Sequence, residues 1–310
     1  MQTASAVLMV RPAAFGFNPQ TAYDNLFQRA YKGNDLSEVK RLVRYQFENS
    51  VNALRERGIE VIVAEDTALP SKPDAVFPNN WLSTHGDGKA IIYPMKARNR
   101  RLERRKEIIE LLINKGYRVD EIIDLTFFEE DGQFLEGTGS VVFDRVQKIA
   151  YAAASERTHP VPLAYLAALM DYEVVGFHAV IRKSGKMYPV YHTNVMMHVG
   201  TDLAVTCLDA IPSTFEKMNL KTQLENSGKK IIPITVHQKM NFCGNMLELI
   251  NKNGERYTVM SETAYRSLRK GQIKTIERCT GVITPDVSMI ESLGGGSIRC
   301  MLAEIFLPVA

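Results

Sequence analysis

Apolar positions along the chain alternate between two periods, and the alternation itself repeats. Four segments carry an apolar strand, a polar turn and a second apolar strand: Asn80–Thr84 with 90–93, Gly139–Phe143 with 149–151, Asn194–His198 with 203–206, and Asn245–Leu249 with 257–260. Their turns hold the Gly, Asp and Asn residues that close hairpins, such as His85-Gly86-Asp87-Gly88 and Asn251-Lys252-Asn253-Gly254. The starts at 80, 139, 194 and 245 are about 55 residues apart. Between them the apolar period lengthens to that of a helix, over 102–115 and 215–227, then 263–270 and 273–279. A further helix is expected over 37–57, before the strand Ile59–Val63. The first strand, Ala6–Val10, and the last, 301–307, read as two parts of a fifth unit. The expectation is an α/β fold: one domain over 1–310, built as a five-bladed β/α propeller of pseudo-fivefold ββαβ repeats. Its terminal strands would lie side by side, closing a ring that leaves no sheet edge exposed.

Composition changes this picture little. The 310 residues are 45% hydrophobic and 24% charged, with a net charge of +3, as in an ordinary soluble protein. Much of the positive excess sits between Lys96 and Lys106, where Glu103 interrupts it. That run reads as a solvated helix start, too narrow to bind nucleic acid. No apolar run reaches membrane-spanning length, and the first residues lack the basic and apolar regions of a signal peptide. Cys207, Cys243, Cys279 and Cys300 have neither zinc-like nor redox-like spacing. A cytoplasmic protein with reduced thiols, no metal and no cofactor is expected.

Equivalent loops of a ring of repeats meet at its axis. The residues that open each hairpin are therefore candidates for one site: Asn80, the turn at Glu136-Gly137-Thr138-Gly139, His192-Thr193-Asn194, Gly244-Asn245, and the glycine run Gly294-Gly295-Gly296 that leads to Cys300. A thiol needs a base or an ion-pair partner to attack as thiolate, and an imidazole supplies one and can also protonate a leaving group. Cys243 is the rival nucleophile, but no glycine run precedes it. The remaining histidines, His85, His159, His178, His198 and His237, read as structural or exposed.

In Phe134-Leu135-Glu136-Gly137, Ser155-Glu156-Arg157-Thr158, His192-Thr193-Asn194 and Gly294–Cys300, taken in this order, the sequence resembles the guanidino-group-modifying enzymes. These include arginine deiminase, dimethylarginine hydrolase and the amidinotransferases, and their fold is a five-bladed β/α propeller. The resemblance implies Cys300 as nucleophile, His192 as general acid/base and Glu136 as the carboxylate beside it. It implies Arg157, and with it Arg101, as binders of a substrate α-carboxylate. Asn80 and Asn194 depart from the deiminases, which carry aspartates at both positions. Aspartates clamp a guanidinium through charge-assisted hydrogen bonds, whereas an amide offers a donor and an acceptor without charge.

On that ground the leading expectation is a citrulline-utilisation hydrolase that converts citrulline to ornithine, ammonia and carbon dioxide. The ion pair of Cys300 with His192 would then exist before substrate arrives. Hydrolysis of arginine or dimethylarginine is the alternative. A non-catalytic five-bladed protein, like the ribosome anti-association factor of the same fold, is the alternative from another class. Only a small amino acid is expected as partner, with a homo-oligomer left open.

Overall fold

A computed structural model describes residues 1–31, 33 and 36–310 of the protein. In order along the sequence its strands are β1 (Ala6–Arg11), β2 (Glu60–Glu65), β3 (Leu82–Thr84), β4 (Lys89–Ile92), β5 (Glu121–Asp124), β6 (Val142–Asp144), β7 (Ile149–Ala153), β8 (Glu173–Phe177), β9 (Val180–Lys183), β10 (Lys186–Pro189), β11 (Met197–Val199), β12 (Leu203–Thr206), β13 (Lys230–Pro233), β14 (Leu247–Ile250), β15 (Arg256–Val259), β16 (Gly281–Ile283) and β17 (Ala303–Ile305). Among the described residues they form five three-stranded sheets, β3-β4-β5, β6-β7-β8, β11-β12-β13, β14-β15-β16 and β17-β1-β2, and one two-stranded ribbon, β9-β10. In each three-stranded sheet the first pair is antiparallel and the second parallel. The parallel step needs a crossover, which the helical segments supply.

The last sheet joins the two ends of the sequence. β1 pairs antiparallel with β17, Ala6 opposite Ile305 and Leu8 opposite Ala303. Val7, Leu8 and Met9 are fully buried, as a strand covered on both faces must be. The helix Leu36–Glu56 packs through Val39, Val43, Phe47, Val51 and Leu54, a stripe at three- and four-residue spacing, and its remaining faces are polar.

Three segments differ from the sequence expectation. The stretch 102–115 is a single turn, Arg98–Glu103, followed by a helix only over Lys106–Asn114. Arg100 and Glu103 are drawn into the interior there and end the helical period early. The two helical stretches expected over 263–270 and 273–279 are both present with shifted bounds, as Glu262–Ser267 and Lys270–Glu277. The helix Pro160–Met170 is absent from the sequence expectation, because Pro-Val-Pro-Leu-Ala-Tyr-Leu-Ala-Ala-Leu-Met is apolar on every side and shows no period. Pro160 occupies its first turn, where a missing N–H costs nothing, and Asp171 ends it at φ 57°.

The residues that open the hairpins do not lie in strands. Short helical turns hold them: Pro78–Asn80 before β3, Gly137–Ser140 before β6, Thr193–Val195 before β11 and Ile298–Met301 before β17. Each turn ends where an inner strand begins, and the turns pack on one another. That arrangement places the side chains of several sheets at one point.

Candidate active site

Cys300 sits in the last of these turns, almost wholly buried. Its thiol faces two side-chain amides, with Asn245 Nδ2 at 3.3 Å and Asn194 Nδ2 at 3.5 Å from Sγ. The glycine run before it serves packing. Gly295 ends the helix Ser288–Gly294 at φ 66°, in the left-handed region. A Cβ on Gly294 would lie 2.8 Å from the Phe77 ring, and one on Gly296 only 3.3 Å from Cys300 Cβ. The N–H groups of Gly295 and Cys300 already bond the carbonyls of Glu291 and Ser297. The donors aimed at the thiol are therefore the two asparagine amides rather than these backbone groups.

His192 Nε2 lies 2.8 Å from Glu136 Oε2, both residues buried. A carboxylate only accepts, so Nε2 carries the proton and Nδ1 keeps a lone pair. Nδ1 lies beside Gly139, and a Cβ on Gly139 would come within 2.8 Å of it. Only glycine leaves that approach open. Asn80 Oδ1 accepts from Arg100 Nη1 at 2.9 Å, while its Nδ2 is buried without a partner. Burial, joined by the Arg157 and Arg100 charges, lowers the His192 pKa against the pull of Glu136. The imidazole is thus neutral near pH 7. Among the described residues no hydrogen bond joins it to Cys300, whose Sγ meets Asn194 and Asn245 instead.

Glu136 is the electrostatic centre. Burial would raise its pKa, but Arg157, His192 and Arg100 together hold it far below the usual carboxylate range. Arg157 Nη1 lies 3.4 Å and Arg100 Nη1 3.8 Å from Oε2, and Oε1 accepts the Lys96 N–H at 3.0 Å. Arg157 also forms a two-point ion pair with Asp24 and lies over the Tyr191 ring. Asp24 thus fills the two-point contact that the Arg157 guanidinium offers a carboxylate.

Arg101 is the residue misplaced by sequence reasoning. Its side chain turns outward to Glu129, at 3.1 Å, and to the Met95 carbonyl. Arg100 is the buried one, held by two 2.9 Å bonds to Glu103. In the turn Arg98–Glu103 successive side chains point about a third of a turn apart, so a one-residue shift exchanges cleft for surface. The basic run is accordingly more than a solvated helix start.

A narrow cleft is lined by Cys300, His192, Asn80, Arg100, Arg157 and also Asp74. Asp74 belongs to no motif read in the sequence. It is buried, takes hydrogen bonds from Asn18 and Thr21 on Oδ2, and leaves Oδ1 without a partner. Burial raises its pKa despite Arg100 and Arg157. Only the Lys-Pro-Asp-Ala stretch ahead of the Phe77-Pro78-Asn79-Asn80 turn hints at it in the sequence. Cys243 lies outside this cleft. Its Sγ donates to the Ala264 carbonyl at 3.3 Å, and burial pushes its pKa up to about 12.

The family model for eukaryotic N,N dimethylarginine dimethylhydrolase matches residues 11–307. The solved structure of the ArgZ N-terminal domain, covalently bound to a reaction intermediate, aligns with a TM-score of 0.72 at 16% identity, over 98% of this chain and 99% of that one. Unliganded AgrE aligns with the same score at 18% identity, over 98% of this chain but 40% of its own. A dimethylarginine dimethylaminohydrolase variant, captured as an adduct with S-methyl-L-thiocitrulline, gives 0.66 at 16%, over 98% of this chain and all of the other. No curated protein matches. The fold is that of the guanidino-group-modifying enzymes, and the family match makes the protein a C–N hydrolase. It belongs to the N,N dimethylarginine dimethylhydrolase family.

Proposed function

We propose that the enzyme hydrolyses a guanidino C–N bond of arginine or of a methylated arginine. The observation that carries this reading is the family match, joined by a carboxylate in the cleft lining, Asp74, and by the carboxylates paired with the cleft's two arginines. Arg100 and Arg157 face four carboxylates, Asp24, Asp74, Glu103 and Glu136, and Asp74 still has a free oxygen. The lack of carboxylates at Asn80 and Asn194 is what favours citrulline on sequence grounds. Asp24, Glu103 and Glu136 offset the charge of the two arginines, and the free Oδ1 of Asp74 gives an incoming guanidinium a carboxyl oxygen to meet. The family match, and the likeness to ArgZ, an arginine dihydrolase, favour the same reading. We read the five similar sheets as blades of a propeller, with the cleft at one end of its axis.

In the proposed reaction the substrate carboxylate displaces Asp24 from Arg157, and Arg100 adds the second cation. His192 Nδ1 takes the thiol proton. Cys300 Sγ then bonds to the guanidino carbon, and the amides of Asn194 and Asn245 hold the thiolate beforehand. The imidazolium returns its proton to the departing ammonia, methylamine or dimethylamine, and Glu136 stabilises the charge on the ring. Water, deprotonated at the same Nδ1, adds to the S-bound carbon. Release of the thiolate gives citrulline.

Citrulline as substrate remains the second reading, favoured by the three amides of Asn80, Asn194 and Asn245 around the reacting end. Purified enzyme given arginine, dimethylarginine or citrulline, with citrulline, ornithine, ammonia and dimethylamine quantified, separates the two. Turnover of arginine or dimethylarginine at higher kcat/KM than citrulline supports the first. Turnover of citrulline alone overturns it.

A further inference from the structure

Tyr191 belongs to none of the motifs read in the sequence, and the reaction above gives it no part. Its buried side chain nevertheless meets the loop before Cys300, His192 and Arg157 together. The hydroxyl donates to the Gly295 carbonyl at 2.6 Å. The ring lies 4.7 Å from the His192 ring, centroid to centroid, and Arg157 Cζ stands 5.2 Å from its centroid. Phe27 packs against it edge-on at 6.0 Å. The backbone is tied as well. The Tyr191 carbonyl accepts from the Ser155 hydroxyl at 2.8 Å, and that hydroxyl oxygen accepts the Arg157 N–H at 3.1 Å.

A phenol has one proton to give. Here it is committed to Gly295, and burial, joined by the nearby Cys300, holds the phenol pKa well above its ordinary value. The hydroxyl is therefore a fixed donor and not a proton-transfer group. What it holds is soft. The run Gly294-Gly295-Gly296 has no side chain to anchor it, and glycine leaves the backbone freer than any other residue. The other side-chain donor to the Gly295 carbonyl is Asn25 Nδ2, at a long 3.4 Å. The short bond comes from the neighbour of His192. It ties the turn that carries the thiol, ahead of β17, to the turn that carries the imidazole, ahead of β11. The ring has a separate use. Asp24 holds Arg157 at two points, and a substrate carboxylate that displaces Asp24 removes that support. The Tyr191 ring face still seats the guanidinium afterwards.

We infer that Tyr191 is a positioning residue with two separable actions: its hydroxyl sets the Cys300 turn against His192, and its ring seats Arg157 for the substrate carboxylate. The second action rests on the proposed binding of that carboxylate to Arg157. The first does not depend on which substrate the cleft takes.

The test compares the full-length wild type with Tyr191→Phe, which loses only the hydroxyl, and Tyr191→Leu, which loses the ring too. Both kcat and KM are measured with whichever of arginine, dimethylarginine and citrulline the wild type turns over, since each carries an α-carboxylate. Tyr191→Phe should fold, because the Gly295 carbonyl keeps Asn25 as a donor. It should lower kcat about tenfold and leave KM within about twofold. Tyr191→Leu should lower kcat as far and also raise KM by about three- to tenfold. A purely structural tyrosine would lower Tm in both variants without that split. Wild-type kcat in Tyr191→Phe overturns the role of the hydroxyl, and equal KM in the two variants overturns that of the ring. Tyr191→Met takes the place of Tyr191→Leu should the latter not fold. Absence of turnover in the wild type counts against the proposed function rather than against this inference. The role of the hydroxyl is then read from the capping of Cys300 by iodoacetamide, which should be about tenfold slower in Tyr191→Phe as Sγ leaves its amide donors. An unchanged capping rate overturns it.

Discussion

Replacing Glu136 with glutamine removes one charge and little volume, and the surroundings of that carboxylate set the size of the effect. It lies fully buried between His192, Arg157 and Arg100, at 2.8, 3.4 and 3.8 Å. An amide there leaves part of two buried guanidinium charges uncompensated, a change that costs about 3–5 kcal/mol when one partner of a buried pair is lost. At roughly 2 °C per kcal/mol for a protein of this size, Tm should fall by about 6–10 °C. Turnover should fall by about 100- to 10,000-fold, since the imidazolium formed during the reaction loses the negative charge that stabilises it. The effect has a pH signature. The folded-state pKa of Glu136 is lowered, so its stabilisation is present above the unfolded value of about 4.3 and is lost only as pH falls through the folded value. The stability gap between wild type and Glu136→Gln should therefore be constant from about pH 8 to 5 and narrow below about pH 4. Urea unfolding at several pH values measures it. A gap under about 1 kcal/mol at pH 7, or one that widens on acidification, would refute the electrostatic account of Glu136.

The other predictions concern neighbouring groups. Arg100→Ala should raise KM at least tenfold while Arg101→Ala leaves it within about threefold, the loss of a charge-assisted hydrogen bond being worth about 1.5–3 kcal/mol; equal effects would return Arg101 to the site. Asn80→Asp combined with Asn194→Asp should increase the kcat/KM ratio of arginine over citrulline, and an unchanged ratio would mean that neither residue faces the reacting group. Cys243→Ser should leave turnover nearly intact, because that thiol is held away from the cleft by the Ala264 carbonyl; a hundredfold loss would contradict this.

Much of the site is legible in the sequence because the turn chemistry and the strand period repeat together. Asn80, Glu136, His192, Asn194 and Cys300 each stand at the mouth of a hairpin, and the structure gathers them. Asn245 belongs to that same set, but the sequence assigns it no role, since a thiol's amide donors leave no signature there. Asp24 and Asp74 are invisible to sequence reasoning for a physical reason. They come from irregular segments outside the repeat, Asp74 into the cleft and Asp24 onto Arg157, and only three-dimensional proximity to Arg100 and Arg157 gives them meaning. Their omission misdirects a substrate argument that counts charge only at motif positions. Arg100 is easily confused with Arg101 because a short, tight turn carries no period long enough to tell an inner face from an outer one. The ribbon β9-β10 and the helix Pro160–Met170 escape sequence reading because neither alternates apolar with polar residues in a readable way.

The central claim is that Cys300 forms the covalent bond to an arginine-type substrate. Enzyme mixed with arginine, and separately with dimethylarginine, is quenched in acid within the first turnovers, digested, and analysed by mass spectrometry. The account predicts that the peptide containing Cys300 gains the mass of the substrate less its departing amine, with Cys207, Cys243 and Cys279 unmodified and no adduct in Cys300→Ser. Turnover of these substrates with Cys300 unmodified throughout, or an adduct on another cysteine, would contradict it.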